Sequence, residues 1–225
     1  LDAALNALLL LLLLELLVSR GLSQRSRREN VMLALLFTFG TVSLFSSIRG
    51  EVWFSALILG ITMNILFMLF ALEARHPFLA GLMLGLGMAT RTPLAFAVVF
   101  FALELLRDGD RMRWPGWAPL LKKGALFALP VLAVGIALMA YNLARFDNAF
   151  EFGHTYLANG TRPSIREHGL FSPWFLKNNL AAFLSNPLVI DGTKPFVHVT
   201  LHGLSLFVCT SALLWLLWPR RWSKL

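Results

Sequence analysis

Residues 78–106 read FLAGLMLGLGMATRTPLAFAVVFFALELL, an apolar run broken in its middle by Thr90-Arg91-Thr92-Pro93. A helix crosses a hydrocarbon core about 30 Å thick in roughly 20 residues, so this run is too long for one simple span. Its flanks are both basic: Arg75 precedes it, and Arg107, Arg111, Arg113, Lys122 and Lys123 follow it. Basic loops mark the cytoplasmic side, which places both ends of the run on that side and predicts a helical hairpin. An arm of about 12 residues covers only roughly 18 Å, so the tip reaches part or most of the way across. Pro93 disfavours helix at Thr92 and lacks an amide proton, which assists the break. Gly81, Gly85 and Gly87 give the first arm a small face for close contact with a neighbouring helix.

Working outward, the same reasoning yields spans of about Ala3 to Val18, Val31 to Ile48 and Val52 to Leu72 before the hairpin. Two further spans follow it, from about Gly124 to Leu143 and from about Val197 to Trp218. Arg20, Arg25, Arg27 and Arg28 place the first loop inside, and the turn Arg49-Gly50-Glu51-Val52-Trp53 then lies outside. Most of the 20 Lys and Arg residues fall in the segments so assigned to the inside. An external loop of about residues 144–196 contains SPWFLKNNLAAFL, residues 172–184, which predicts a short amphipathic helix lying on the outer surface. The expected fold is therefore an all-α polytopic transmembrane bundle in one domain, with one broken hairpin.

Composition agrees with this reading. The chain of 225 residues is 57% hydrophobic and 14% charged, with a mean hydropathy of +0.69, outside the range of ordinary soluble domains. Its net charge of +8 comes in short clusters that bracket apolar segments, the pattern of a membrane protein, and nucleic acid is excluded as a partner. Cys209 is the single cysteine, so the chain has no internal disulfide and no cysteine-based metal cluster. The sequence begins at Leu1, already close to an apolar run and without a basic leader, and a fragment of a longer chain is expected.

Within these spans a few polar residues need a reason. A charged group at mid-membrane costs about 2.5 to 3.5 kcal/mol on insertion scales. Arg91 either snorkels or pairs with a carboxylate, or it presents its planar fork to a phosphate at the hairpin tip. Arg49, Glu51 and Trp53 form a tight outer turn, and Glu51 is the candidate catalytic carboxylate facing an external cleft. Glu15 is explained by snorkelling or by a pair within its own helix, and Asn6 and Asn64 by interhelical hydrogen bonds. His198 and His202 have the i, i+4 spacing of zinc ligands, but no HExxH-type carboxylate follows, and an interfacial position accounts for them. No cofactor is called for, and a divalent metal stays open with no motif to support it. Asn159-Gly160-Thr161 is a glycosylation sequon, a pattern too common to identify the compartment. The stretch ARFDNAFEFGHTY, residues 144–156, alternates aromatic and polar groups. It is either the plain end of a span or a wall of a carbohydrate or lipid-headgroup site.

GLMLGLGMATRTPLAF, residues 81–96, is similar to the AGLxLGLAxLTRP segment of polytopic bacterial membrane glycosyltransferases of the GT-C superfamily. That group includes protein mannosyltransferases and lipid A aminoarabinose transferases. NLARFDNAFEFGHTY, residues 142–156, resembles the NYLRFGNPLEFGY segment of related membrane proteins, and LFTFGTVSLFSSIRGEVWF, residues 36–54, resembles the segment that precedes these. The resemblance covers about Asn6 to Trp218. It implies a bacterial inner-membrane enzyme that transfers a sugar from a polyprenyl-phosphate donor to an acceptor on the non-cytoplasmic face, with inversion at the sugar carbon. The partners it implies are membrane lipids and the lipid-linked sugar as co-substrate. By that analogy Arg91 sits near the lipid phosphate, and Arg49, Glu51, Arg145, Glu151, His154 and Tyr156 line the same external face. GT-C enzymes keep a catalytic Asp or Glu in their first external loop, whereas the first loop here is basic, so the matching loop is expected upstream of Leu1. A transporter or flippase-like protein for a lipid or anionic solute, with a discontinuous helix at its binding site, is the alternative expectation. A membrane subunit without chemistry is the third.

Overall fold

The structure is a computed structural model that describes residues 2–109, 111–153, 156, 163–169, 172–192, 194, 196–199 and 203–217. Two compact units divide it, one built on Leu1–Phe150 and one on Glu151–Trp222.

The first unit is helical. In chain order it contains α1 (Asp2–Ser19), α2 (Arg27–Phe39), α3 (Val42–Ile48), α4 (Val52–Ala71), α5 (Pro77–Thr90), α6 (Val98–Leu105) and α7 (Trp117–Phe146). A 3-10 turn at Leu72–Ala74 closes α4, another at Thr92–Ala97 joins α5 to α6, and a two-residue ribbon of β1 (Arg107–Asp108) and β2 (Arg111–Met112) links α6 to α7. Three helical stretches, Asp2–Ser19, Val52–Ala74 and Trp117–Phe146, are long and apolar enough to cross a membrane. The pair α2 and α3 would make a fourth span if its two bent halves count as one.

Several polar side chains are buried while many large apolar ones are exposed, unlike a protein folded in water. Asn6, Asn30, Thr62 and Glu104 are buried, while Leu8, Leu12, Leu129, Leu132 and Ile136 are exposed. Such an outer surface suits lipid, where burying apolar area between helices brings little hydrophobic gain and packing with interhelical hydrogen bonds holds the elements instead. The polar pairs set the register. The Asn6 amide donates to the Ile58 carbonyl at 3.0 Å, and the Thr62 hydroxyl donates to the Asn6 side-chain oxygen at 2.7 Å. With Arg20 reaching Glu73 at 3.1 Å, these contacts make α1 and α4 parallel.

The hairpin read from residues 78–106 is present. Along α5, Gly87 lies beside Met63 and Gly60 lies beneath Thr90 and Leu94, so α5 runs antiparallel to α4. The return arm brings Phe101 to stack on Phe127, with centroids 4.0 Å apart, and ends with Glu104 accepting from the Glu73 amide at 2.6 Å. Both ends of the hairpin therefore sit at the Glu73 end of α4. The break falls at Arg91, which is extended, within the expected stretch Thr90-Arg91-Thr92-Pro93. Pro93 occupies the first turn of the following 3-10 stretch, where its missing N–H costs nothing. Gly60 is eight residues into α4, roughly 12 Å along its axis, so the backbone of the tip stops short of the N-terminal end of α4.

Gly81 and Gly85 do supply a small face, and α7 is what uses it. A Cβ at Gly81 would overlap the Phe127 carbonyl oxygen, and one at Gly85 would lie 3.1 Å from the Val134 Cβ. Pro130, inside α7, packs at the same contact. Phe67, Phe101, Phe127, Ala80 and Leu84 form the core where α4, the hairpin and α7 meet.

Three expectations about spans change. The second span, 31–48, is two helices bent by 55°. The hydroxyl of Thr41 donates to the Phe37 carbonyl at 2.6 Å and its oxygen accepts from the Ser43 amide at 3.1 Å, so one side chain ends α2 and caps α3. The span at 124–143 extends in both directions, to Trp117–Phe146. The region 197–218 is not a continuous helix among the described residues. It begins as β4 (Val197–His198), paired with β3 (Val189–Ile190), and continues only as α10 (Leu206–Cys209) and a 3-10 turn at Ser211–Leu217. Positive φ at Gly203, an extended Ser205 acting as N-cap and a non-helical Thr210 interrupt it. The same unit contains α8 (Pro163–His168) and the expected amphipathic helix, seen as a 3-10 turn at Pro173–Phe175 leading into α9 (Leu176–Ser185). Ser172 caps it by accepting from the Trp174 amide, and Leu176, Leu180, Phe183 and Leu184 leave an apolar stripe exposed.

Candidate functional site

At the N-terminal end of α4 the structure gathers Arg49, Glu51, Trp53 and Arg91. Arg49 and Glu51 form an ion pair at 2.7 Å, each about half exposed. The guanidinium of Arg49 lies 5.4 Å from the Phe45 ring centre and 5.8 Å from that of Phe54, and the two rings meet edge to face. This aromatic seat places the Arg49 charge at the junction of α3 and α4.

Arg91 comes to the same place from the hairpin. Its backbone N–H still belongs to α5, donating to Gly87, while its side chain climbs to donate from Nη2 to the Trp53 carbonyl at 3.2 Å. The guanidinium carbon stands 6.0 Å from the Trp53 ring centre. No carboxylate pairs with Arg91 among the described residues, and its Nε atom is buried without an acceptor. Of the three roles read from the sequence, pairing with a carboxylate is therefore not what holds Arg91 among the described residues, while its reach to the Trp53 carbonyl fits both snorkelling and phosphate binding. A buried guanidinium N–H without a partner is costly unless an anion or a polar group completes it. Asn64, on the same helical stripe of α4 as Trp53, Gly60 and Phe67, has a buried side-chain oxygen that also lacks a donor. The interhelical hydrogen bond expected of Asn64 is not made by that atom, whereas Asn6 makes two.

Of the other residues expected on the external face, Arg145 is the one in the first unit. Arg145 occupies the last turn of α7, donates to the Tyr141 hydroxyl at 3.2 Å and lies over the Phe146 ring at 4.9 Å, contacts within its own helix. Asp147 follows in the left-handed conformation, its N–H donating to Leu143, and the Asn148 side-chain oxygen accepts from Phe150. Half of ARFDNAFEFGHTY is thus the machinery that stops a long helix. Glu151 and Tyr156 belong to the second unit, with Tyr156 exposed, and His154 and the sequon Asn159-Gly160-Thr161 lie outside the described residues.

A second polar cluster, at the opposite end of the helices, was not anticipated. Glu104 is 5% exposed and accepts from both the Glu73 amide and Arg107, while Glu73 itself receives Arg20. Glu73 and Ala74 both have positive φ, so this bond fixes a strained end to α4. The available signal was Glu104 at the apolar start of LELLRD, with an arginine three residues on. Glu15 also differs from expectation. It accepts from the Asn30 amide at 3.1 Å, and Arg25 donates to the Asn30 oxygen at 3.2 Å, so its partner lies on α2 rather than within α1. His198 is on a strand and meets Asp191 at 3.2 Å, so the helical spacing assumed for His198 and His202 does not arise; His202 lies outside the described residues.

No protein-family model matches this chain, and no curated protein or solved structure shows significant similarity to it.

Proposed function

We propose that the outer end of the hairpin binds the phosphate of a lipid-linked sugar, and that the chain is part of a membrane glycosyltransferase of the GT-C type. The observation that carries this reading is Arg91, a cation at the tip of a re-entrant hairpin whose buried Nε–H has no acceptor. One edge of its fork is taken by the Trp53 carbonyl, which orients the rest of the guanidinium. An arginine so held suits a phosphate oxygen better than a lysine would, because its donors are planar and fixed.

In the reaction, an acceptor hydroxyl attacks the anomeric carbon, the bond from that carbon to the phosphate oxygen breaks, and the electron pair leaves on the phosphate. Arg91 stabilises the charge as it develops, which is where fixed donors lower a barrier most. The acceptor proton passes to a carboxylate base. Glu51 is the carboxylate of this cluster, and it would have to give up Arg49 to serve.

The test is sugar transfer from a polyprenyl-phosphate donor by the complete protein in membranes. Arg91→Ala should lower the rate roughly 100-fold or more with expression unchanged, and Arg91→Lys should restore little of it. Full turnover by Arg91→Ala would remove the assignment. The bent α2–α3 pair and the broken hairpin also fit a transporter with discontinuous helices. That second reading is favoured if vesicles show Arg91-dependent movement of a lipid or anionic solute and no sugar transfer.

A further inference from the structure

Beside the cluster at the opposite, basic end lies an open cleft of about 340 Å³, at the small end of the range for ligand sites. Its charged lining residues are Glu73, Glu104 and Asp108 on the acidic side and Arg107, Arg113 and Lys123 on the basic side, with Trp114 beside them. Its charges are unevenly committed. Arg20 is spent on Glu73 and Arg107 on Glu104, both within the fold. Arg113 holds Asp108 only through an exposed contact at 3.4 Å, and no carboxylate pairs with Lys123 among the described residues. Lys123 is half-buried against the cleft, whereas its neighbour Lys122 is exposed and does not line it. Trp114 and Trp117 meet edge to face at 5.0 Å beside the opening, both more than half exposed, as aromatic residues do at the headgroup level of a bilayer.

We propose that this cleft holds the phosphate of an anionic phospholipid, with Arg113 and Lys123 as its charged contacts and Trp114 beside the headgroup. The geometry favours a lipid over a soluble anion because the cleft lies where the apolar helices α4 and α6 end and α7 begins, with the exposed Trp114 in its lining and Trp117 packed on that ring. The proposal is independent of the reading of Arg91, which lies at the other end of the hairpin.

The experiment is native mass spectrometry of the complete protein released from nanodiscs of equal parts phosphatidylglycerol and phosphatidylcholine. The wild type should retain phosphatidylglycerol in preference. Arg113→Gln with Lys123→Gln should reduce that preference by roughly five-fold for each cation removed, and Lys122→Gln should leave it in place. No preference in the wild type, an unchanged preference in the double variant, or an equal loss in Lys122→Gln would each overturn the proposal. Displacement of the retained lipid by glycerol 3-phosphate would overturn the lipid assignment and mark a soluble-anion site. Thermal melts in detergent accompany each variant, and if the double variant melts early, Lys123→Gln alone is read by the same criteria.

Discussion

Asn6 and Arg91 show how differently two polar residues can be used along one helix. Asn6 is fully buried and has both its side-chain groups engaged with α4, whereas Arg91 keeps a buried donor open. The first pattern is structural. Across a membrane interface such hydrogen bonds contribute about 0.6 kcal/mol on average. A double-mutant cycle of Asn6→Ala and Thr62→Ala, followed by unfolding in mixed micelles, should return a coupling of about that size, up to roughly 1.7 kcal/mol; zero coupling would make the contact incidental. Both residues were legible as exceptions in apolar spans. Their partners were not, because Thr62 and the Trp53 carbonyl carry no signal of their own in a sequence.

Among the elements, the hairpin and α7 depend on the absence of side chains. At Gly81 the backbones approach so closely that a methyl group meets the Phe127 carbonyl, which cannot move without displacing α7. Gly124, in the second turn of α7, has open space around it. Gly81→Ala should therefore cost about 1 to 3 kcal/mol or more, seen as a lowered melting temperature in detergent, while Gly124→Ala should be neutral or slightly stabilising. Equal effects would show that the close contact is not what holds α5 to α7. The glycine stripe could be read as a contact face, but its partner could not. The bend between α2 and α3 was also hidden. Thr41 resembles any threonine in an apolar span until its hydroxyl is seen to serve two helices.

For the molecule as a whole, the decisive feature is that residues 78–106 leave and return at one end of the helices. With Cys209 replaced by serine, single cysteines at His76 and Gly109 should react with an impermeant thiol reagent from the same side of the membrane, and a cysteine at Gly50 from the opposite side. Labelling of His76 and Gly109 from opposite sides would convert the hairpin into a full crossing. The basic flanks, the central Arg-Thr-Pro break and the length of each arm made this hairpin readable. The region 197–218 misled because its hydropathy is high while Gly203, Ser205 and Thr210 punctuate the backbone. Apolar composition does not by itself make a helix.

By itself the sequence determined that the chain has helices long and apolar enough to cross a membrane, and where the hairpin turns. Hydrocarbon thickness and the need to satisfy backbone groups act locally along the chain, and composition records them directly. Only the tertiary structure decided that Arg91 meets Trp53, Glu15 meets Asn30 and Glu104 holds the end of α4. Those meetings depend on the rotation and register of each helix, which are set by many weak packing contacts between apolar faces that look alike in sequence.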